Sequence, residues 1–325
     1  MSGDASLLDV EPVFLKTLQN IVITLPDNRI TNLARVHMIH PLSTSAMGLC
    51  RKLQDQYGNG CAPGFENTFP AVQESQANSS HMAFLSGGFF VVGYAKMGIM
   101  INLLSLGYDV LFVDSDHVYF RNPIPAFYTS YKADLYTALE HCRNLDTQDG
   151  VVQFPDKVVP NISTLFARAT GAVMRCLMNW FFAMISCAGK NEWCWDQYKF
   201  KGSMELCMRG MSYNHFTLGF LSPEKFASLC HGTCGCDALG MPRVVWRGGR
   251  GDPAYEETCP ARVVKKWWLF HVACFAGHMD GSKVKHMQRA LRLYEKHVGP
   301  QGSAPQDPMP WWTADPWWLN FTAAG

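Results

Sequence analysis

The sequence predicts a single α/β domain, a Rossmann-like sheet flanked by helices, and three observations carry that prediction. The chain has 325 residues, 48% hydrophobic and 17% charged, enough to bury one sizeable core. Strand, helix and strand patterns follow one another from Asn20 onwards, as in sheets covered by helices. Between Met97 and Pro125, apolar residues at helical spacing (Met100, Leu103, Leu104) are followed by a glycine stop at Gly107, a short apolar run from Val110 to Val113, and two carboxylates, Asp114 and Asp116. The apolar run reads as a strand buried on both faces of a parallel sheet. It delivers the acids to the C-terminal strand end, where ligands bind in open α/β sheets.

In chain order, residues 1–19 are an N-terminal arm or a first helix, 20–297 the domain, and 298–325 a Pro- and Trp-rich tail. Asn20 to Leu25 reads as a strand ended by Pro26-Asp27-Asn28, and Ala34 to Ile39 as a second one. Ser43 or Ser45 then caps a helix through Leu53. Residues 55–80, with Gly58, Gly60, Pro63, Gly64 and Pro70, form a loop-rich insertion. Phe89 to Leu104 is helical and carries Tyr94 and Lys96, and Asp134 to Ala138 is a strand with Glu140 and His141 at its end. Ala172 to Met184 is apolar almost all round and therefore a buried helix. His215 to Phe220 alternates as a strand or edge hairpin, and Trp267 to Phe270 is a short strand ending at His271. Val298 to Pro310 reads as a linker, before the pairs Trp311-Trp312 and Trp317-Trp318.

A net charge of +1 gives no field that recruits nucleic acid or an anionic membrane. No run of eighteen apolar residues occurs, so no membrane segment is expected in this chain. Twelve cysteines and three glycosylation sequons, at Asn78, Asn161 and Asn320, lean towards a secretory lumen, although the N-terminus lacks a signal-peptide pattern. The cysteines are expected as disulfides or plain thiols. Cys230, Cys234 and Cys236 beside His231 also admit a zinc site, but no second pair follows at ribbon spacing.

Alternation along a strand puts Asp114 and Asp116 on one face, roughly 7 Å apart, with Ser115 opposite. Two such carboxylates repel unless a cation lies between them, and an oxygen-loving Mn²⁺ or Mg²⁺ suits them and bridges to phosphates. The plain alternative is that Asp114 caps a turn and Asp116 is solvated.

The run LLSLGYDVLFVDSDHVYFRNP, through Arg121-Asn122-Pro123, resembles the signature of the nucleotide-diphospho-sugar transferases, a family of retaining glycosyltransferases that includes plant cell-wall xylosyl- and arabinosyltransferases. The resemblance implies a GT-A-type mixed sheet and transfer of a sugar from a nucleotide-diphosphate sugar, UDP-linked by expectation, to a glycan or glycoprotein. It implies Asp114, Asp116 and His271 as ligands of Mn²⁺ or Mg²⁺. Lys283, or else Lys285, would neutralise the diphosphate, with His278 as a rival to His271. Lys96, Ser115 and Asn161 would line the donor site, and His40, Pro41 and Leu42 the base. Pro160 to Thr170 resembles a family strand whose usual glycine is Ser163 here. Asp196 and Gln197 match an Asp-Gln pair, so Asp196 would steady the cationic sugar or, more simply, cap a helix. Glu140 and His141 are weaker candidates near the donor sugar, and the tail tryptophans either pack or rim the acceptor.

A Golgi lumenal location follows as an expectation, with the anchor absent from this chain; the alternative is a cytosolic enzyme with free thiols. Two other functions remain open. A haloacid-dehalogenase-like phosphatase would use Asp114 as nucleophile and Asp116 as acid/base, but its motif belongs near an N-terminus. A non-catalytic carbohydrate-binding protein of the same fold would have broken acids, and here both are intact.

Overall fold

The computed structural model describes residues 5–25, 27–42, 44–64, 87–142, 145–187, 194–209, 216–229, 234–236, 259–272 and 282–301. Helix α1 (Ala5–Gln19) opens them, and its Phe14, Leu15 and Leu18 are buried in the main core. Strands β1 (Val22–Thr24) and β2 (Ile30–Asn32) pair antiparallel as a hairpin. The Asn32 side chain then accepts a hydrogen bond from the Arg35 amide at 3.2 Å and winds Leu33–Val36 into a 3-10 turn. That cap corrects the expected strand from Ala34, of which only β3 (Met38–Ile39) is extended. Helix α2 (Thr44–Tyr57) follows, and β4 (Gly60–Cys61) returns parallel to β3, tied to α2 by the Cys50–Cys61 disulfide.

Helix α3 (Gly87–Ser105) stops where expected. Gly107 has φ +86°, and the amides of Gly107 and Tyr108 reach back to the carbonyls of Leu104 and Leu103 at 3.0 and 3.1 Å. Strand β5 (Val110–Val113) pairs antiparallel with β8 (Pro160–Ala167). The expected parallel neighbour is thereby corrected: a four-residue apolar run records burial, not the direction of its partner. On its other side β8 pairs antiparallel with β7 (Leu135–Leu139), which runs parallel to β9 (Leu218–Phe220). A second sheet sets β10 (Phe226–Ser228) parallel to β11 (Leu269–His271), and β11 antiparallel to β6 (His117–Tyr119), bringing His271 opposite His117. His215, expected in the β9 strand, lies outside the described residues.

The remaining helices are α4 (Ile124–Thr129), α5 (Gly171–Cys187), α6 (Asp196–Arg209), α7 (Ala261–Val264) and α8 (Ser282–Val298). Alternation along β7 and β8 splits the interior into two cores. Leu135, Leu139, Leu165 and Ala167 face Met97, Met100, Trp180 and Phe200 on α3, α5 and α6. Tyr136 and Phe166 face α1, α4 and α8, where the Phe127 and Phe166 rings stack at 4.3 Å. Helix α5 is two-faced rather than apolar-buried all round, for Phe182 and Ile185 stand in solvent. The architecture is the expected single α/β fold with mixed sheets.

Cysteines form disulfides, as one of the two expectations had it. Besides Cys50–Cys61 the pairs are Cys142–Cys234, Cys176–Cys207, Cys187–Cys194 and Cys236–Cys259. Cys234 and Cys236 are thus committed to sulfur, which removes the zinc alternative; Cys230 and His231 lie outside the described residues. Among the described residues no helix is long and apolar enough to cross a membrane.

Candidate functional site

Strand β5 stops at Val113, and residues 114–116 turn into β6. Asp114 and Asp116 therefore do not share one strand face, as expected from alternation; each meets its own cation. The turn is clamped from both sheets. The Asp114 amide donates to the Ser163 carbonyl at 2.9 Å, the Val272 amide to the Asp116 carbonyl at 2.9 Å, and His117 Nδ1 to the Asp114 carbonyl at 2.7 Å.

Asp116 is the better-held acid. Lys283 Nζ from α8 donates to Oδ2 at 2.5 Å, and His271 Nε2 at the end of β11 lies 3.2 Å from Oδ1. Burial opposes ionisation of this carboxyl, but Lys283 and His271 outweigh it and hold the acid well below the usual carboxylate range. Lys285, the lesser candidate, points to solvent, and His278 lies outside the described residues. Ser115 is buried on the side of α1, near the Glu11 carboxyl.

Asp114 faces Lys96 from α3 at 3.7 Å, and the same ammonium reaches Asp196 Oδ2 at 3.2 Å and the Ile162 carbonyl at 3.3 Å. Burial works against the charge on Lys96, yet Asp114 and Asp196 overcome it and raise its pKa above the ordinary lysine value. Asp196 opens α6, its Oδ1 accepting the Gln197 amide at 2.9 Å. Asp196 thus stands at the start of the helix, where the capping alternative put it, and pairs with Lys96 there. Gly93 on α3 makes the approach possible, since a Cβ there would lie 3.2 Å from Asp196 Cβ and Cγ. The Gln197 side-chain amide donates to the Glu140 carboxylate at the end of β7. Asn161 is buried in β8, where its Oδ1 accepts the Ser163 amide at 2.9 Å.

His40, Pro41 and Leu42 follow β3; Pro41 walls a cleft with Glu11, Ile39 and Leu49. His141 lies in the bend just past β7. The tail tryptophans and the sequons at Asn78 and Asn320 lie outside the described residues.

Sequence reasoning passed over His117, although it directly follows the acidic pair. Ligand atoms of Asp116, His117 and His271 lie within 4.8 Å of one another. His117 is nonetheless committed elsewhere. Its Nδ1 faces a carbonyl, so it carries the proton, and its bare Nε2 accepts from the Thr164 hydroxyl at 3.1 Å. Burial, and the nearby His271, push its pKa down to about 3, so the ring is neutral.

The family model for nucleotide-diphospho-sugar transferases matches residues 59–240, more than half of the chain. The chain belongs to the nucleotide-diphospho-sugar transferase family. No curated protein matches it. This transferase is accordingly a glycosyltransferase whose donor class is a nucleotide-diphosphate sugar. The match spans Lys96, Asp114, Ser115, Asp116, Asn161, Asp196 and Gln197, while β11 and α8 bring His271 and Lys283 to the turn from beyond it. The transferase has a donor set that fits a divalent cation. Asp116 Oδ1 is buried without a hydrogen-bond partner and faces the imidazole Nε2 of His271, one hard oxygen and one nitrogen.

Proposed function

We propose that this chain is a metal-dependent, retaining glycosyltransferase that moves a sugar from a UDP-sugar to a glycan or glycoprotein acceptor. The observation that carries the reading is Asp116, held in a turn between His271 Nε2 at 3.2 Å and Lys283 Nζ at 2.5 Å. Asp116 and His271 would hold Mn²⁺, or Mg²⁺, with Asp114 completing the acidic pair. Bound there, the ion would act as a Lewis acid on the diphosphate.

Lys283 brings a point charge to the leaving diphosphate, and Asp116 orients that charge until the donor arrives. The bond between the anomeric carbon and the diphosphate oxygen breaks, its electron pair leaving with the nucleoside diphosphate. The acceptor hydroxyl attacks from the vacated side and gives its proton to a phosphate oxygen. Asp196, paired with the Lys96 ammonium, steadies the cationic sugar, and Gln197 is fixed beside it through Glu140. Ser115, buried against Glu11, and Asn161, buried in β8, would back the donor wall from within the fold. Five disulfides among the described residues support a secretory, Golgi lumenal location rather than a reducing cytosol.

The test is donor hydrolysis by the purified chain across UDP- and GDP-sugars, with Mn²⁺ or with chelator, beside Asp116→Asn. The reading expects Mn²⁺-dependent UDP release from one donor and at least a hundredfold loss in the variant, the scale of a removed electrostatic stabiliser. Equal turnover in chelator would end the metal-dependent reading. Release of phosphate from an aryl phosphate, with every nucleotide-sugar inert, would favour the phosphatase alternative.

A further inference from the structure

The strand that resembles the family's glycine-bearing motif carries Ser163 instead, and its hydroxyl occupies a defined place. Ser163 Oγ lies 2.9 Å from His271 Nδ1 and 3.4 Å from His117 Nε2, with the residue 3% exposed. The two imidazoles stack at 4.4 Å between centroids with 2° between planes, so both rings have little freedom to turn.

One proton position follows from the end of this chain of contacts, and two arrangements remain for the others. The Asp114 carbonyl can only accept, so His117 carries its hydrogen on Nδ1 and offers Nε2 as an acceptor. The Ser163 hydroxyl can donate to that Nε2, which leaves the serine oxygen to accept from His271 Nδ1. His271 then carries its proton on Nδ1, and its bare Nε2 points to the place beside Asp116 Oδ1. In the opposite arrangement Thr164 alone satisfies His117, Ser163 donates to His271 Nδ1, and His271 Nε2–H points at Asp116. Only the first arrangement offers a lone pair to a cation.

We propose that Ser163 is a positioning residue that fixes His271 in its Nδ1–H tautomer, so that Nε2 is presented together with Asp116 to a divalent cation. The inference rests on the metal-dependent reading above. It also gives the departure from glycine a purpose, since a glycine here would leave His271 Nδ1 without this partner. Outer partners of ligating histidines typically alter metal affinity by about 10–100-fold.

The test is Mn²⁺ binding, followed calorimetrically and by the paramagnetic resonance of free Mn²⁺, in the chelator-stripped full chain with and without UDP. Ser163→Ala is expected to weaken Mn²⁺ binding about 10–100-fold while leaving Mg²⁺, the less nitrogen-dependent ion, within about threefold. In a His271→Ala background the serine substitution should have no further effect on Mn²⁺. Ser163→Thr, which keeps the hydroxyl, should recover most of the affinity. Unchanged Mn²⁺ affinity in Ser163→Ala, an equal loss for both ions, or a loss that persists without His271 would each overturn the role of Ser163. Absence of Mn²⁺ binding by the unaltered chain would instead overturn the metal-dependent reading on which it rests.

Discussion

Glu11 offers a measurement that depends on the fold alone. It sits on α1 with 3% exposure, neither carboxyl oxygen is met at hydrogen-bonding geometry, and its cleft is lined by Ile39, Pro41, Ala46 and Leu49. Burial, reinforced by the Asp116 charge and only partly relieved by the nearby Ser115 hydroxyl, raises its pKa from 4.5 to about 7. Each tenfold change in proton affinity corresponds to about 1.4 kcal/mol, so ionised Glu11 costs the folded state on the order of 3 kcal/mol. Below pH 4.5 the group is protonated in both states and this cost vanishes. Between pH 4.5 and about 7 the folded state binds the proton more tightly, so stability falls as pH rises, and the full cost is present above pH 7. Glu11→Leu removes the titrating group and places an apolar side chain in an apolar cleft. Urea unfolding of both proteins in chelator with disulfides intact, at pH 4.5 and pH 8, should show the variant gaining about 3 kcal/mol more at the higher pH. If the two stability curves run parallel across that interval, the buried-acid account of Glu11 is wrong.

Lys96→Met leaves Asp114 and Asp196 facing one another without their shared ammonium. Removing one partner of a buried ion pair typically costs about 3–5 kcal/mol, and the half-exposed Asp114 puts this case at the lower end. Urea unfolding should register that loss, and Asp196→Asn added to Lys96→Met should recover part of it; a single-variant change below about 1 kcal/mol would show that the cluster is not a charge network. For Asn161 the expectation is compositional. Its side chain is buried and fixed to the Ser163 amide, so mass spectrometry of the chain secreted from a glycosylating host should find this sequon bare, and an occupied Asn161 would contradict the β8 placement.

What was legible in the sequence follows from where its information is local. Gly107 had to take positive φ, and Val110–Val113 had to be buried, because helix stop and apolar run are written in neighbouring residues. Asp114, Asp116, Lys96 and Asp196 were legible as a list, but their pairing was not. That Lys96 serves Asp114 and Asp196, while Asp116 takes Lys283 from α8, depends on how helices far apart in sequence converge on one turn. Strand direction failed for the same reason, since burial looks alike beside a parallel or an antiparallel neighbour. The strand expected from Ala34 was lost to a single side-chain cap at Asn32, a contact that propensity cannot weigh. His117 had a local signal, adjacency to the acids, but its role needed the register of β6 against β11.

That convergence also fixes the electrostatic sense of the site. With Asp114 ionised against the burial that raises its pKa, and with His271 as a neutral ligand, Asp114, Asp116 and Asp196 set three negative charges against the two of Lys96 and Lys283, and His117 is neutral, so the cluster is net negative. A nucleoside diphosphate is an anion as well, and in a partly buried site like charges at close range are separated by several kcal/mol of repulsion unless something intervenes. One divalent cation beside Asp116 and His271 reverses the sign and turns repulsion into attraction. UDP affinity should therefore rise at least tenfold from chelator to Mn²⁺, and Asp116→Asn, which removes one negative charge along with a metal-binding oxygen, should bind UDP in chelator more tightly than the unaltered chain while losing the Mn²⁺ response. Calorimetric titration with UDP reads both. Equal UDP affinity with and without Mn²⁺ would show that the two lysines suffice for the diphosphate, and that the acids serve the fold instead of the donor.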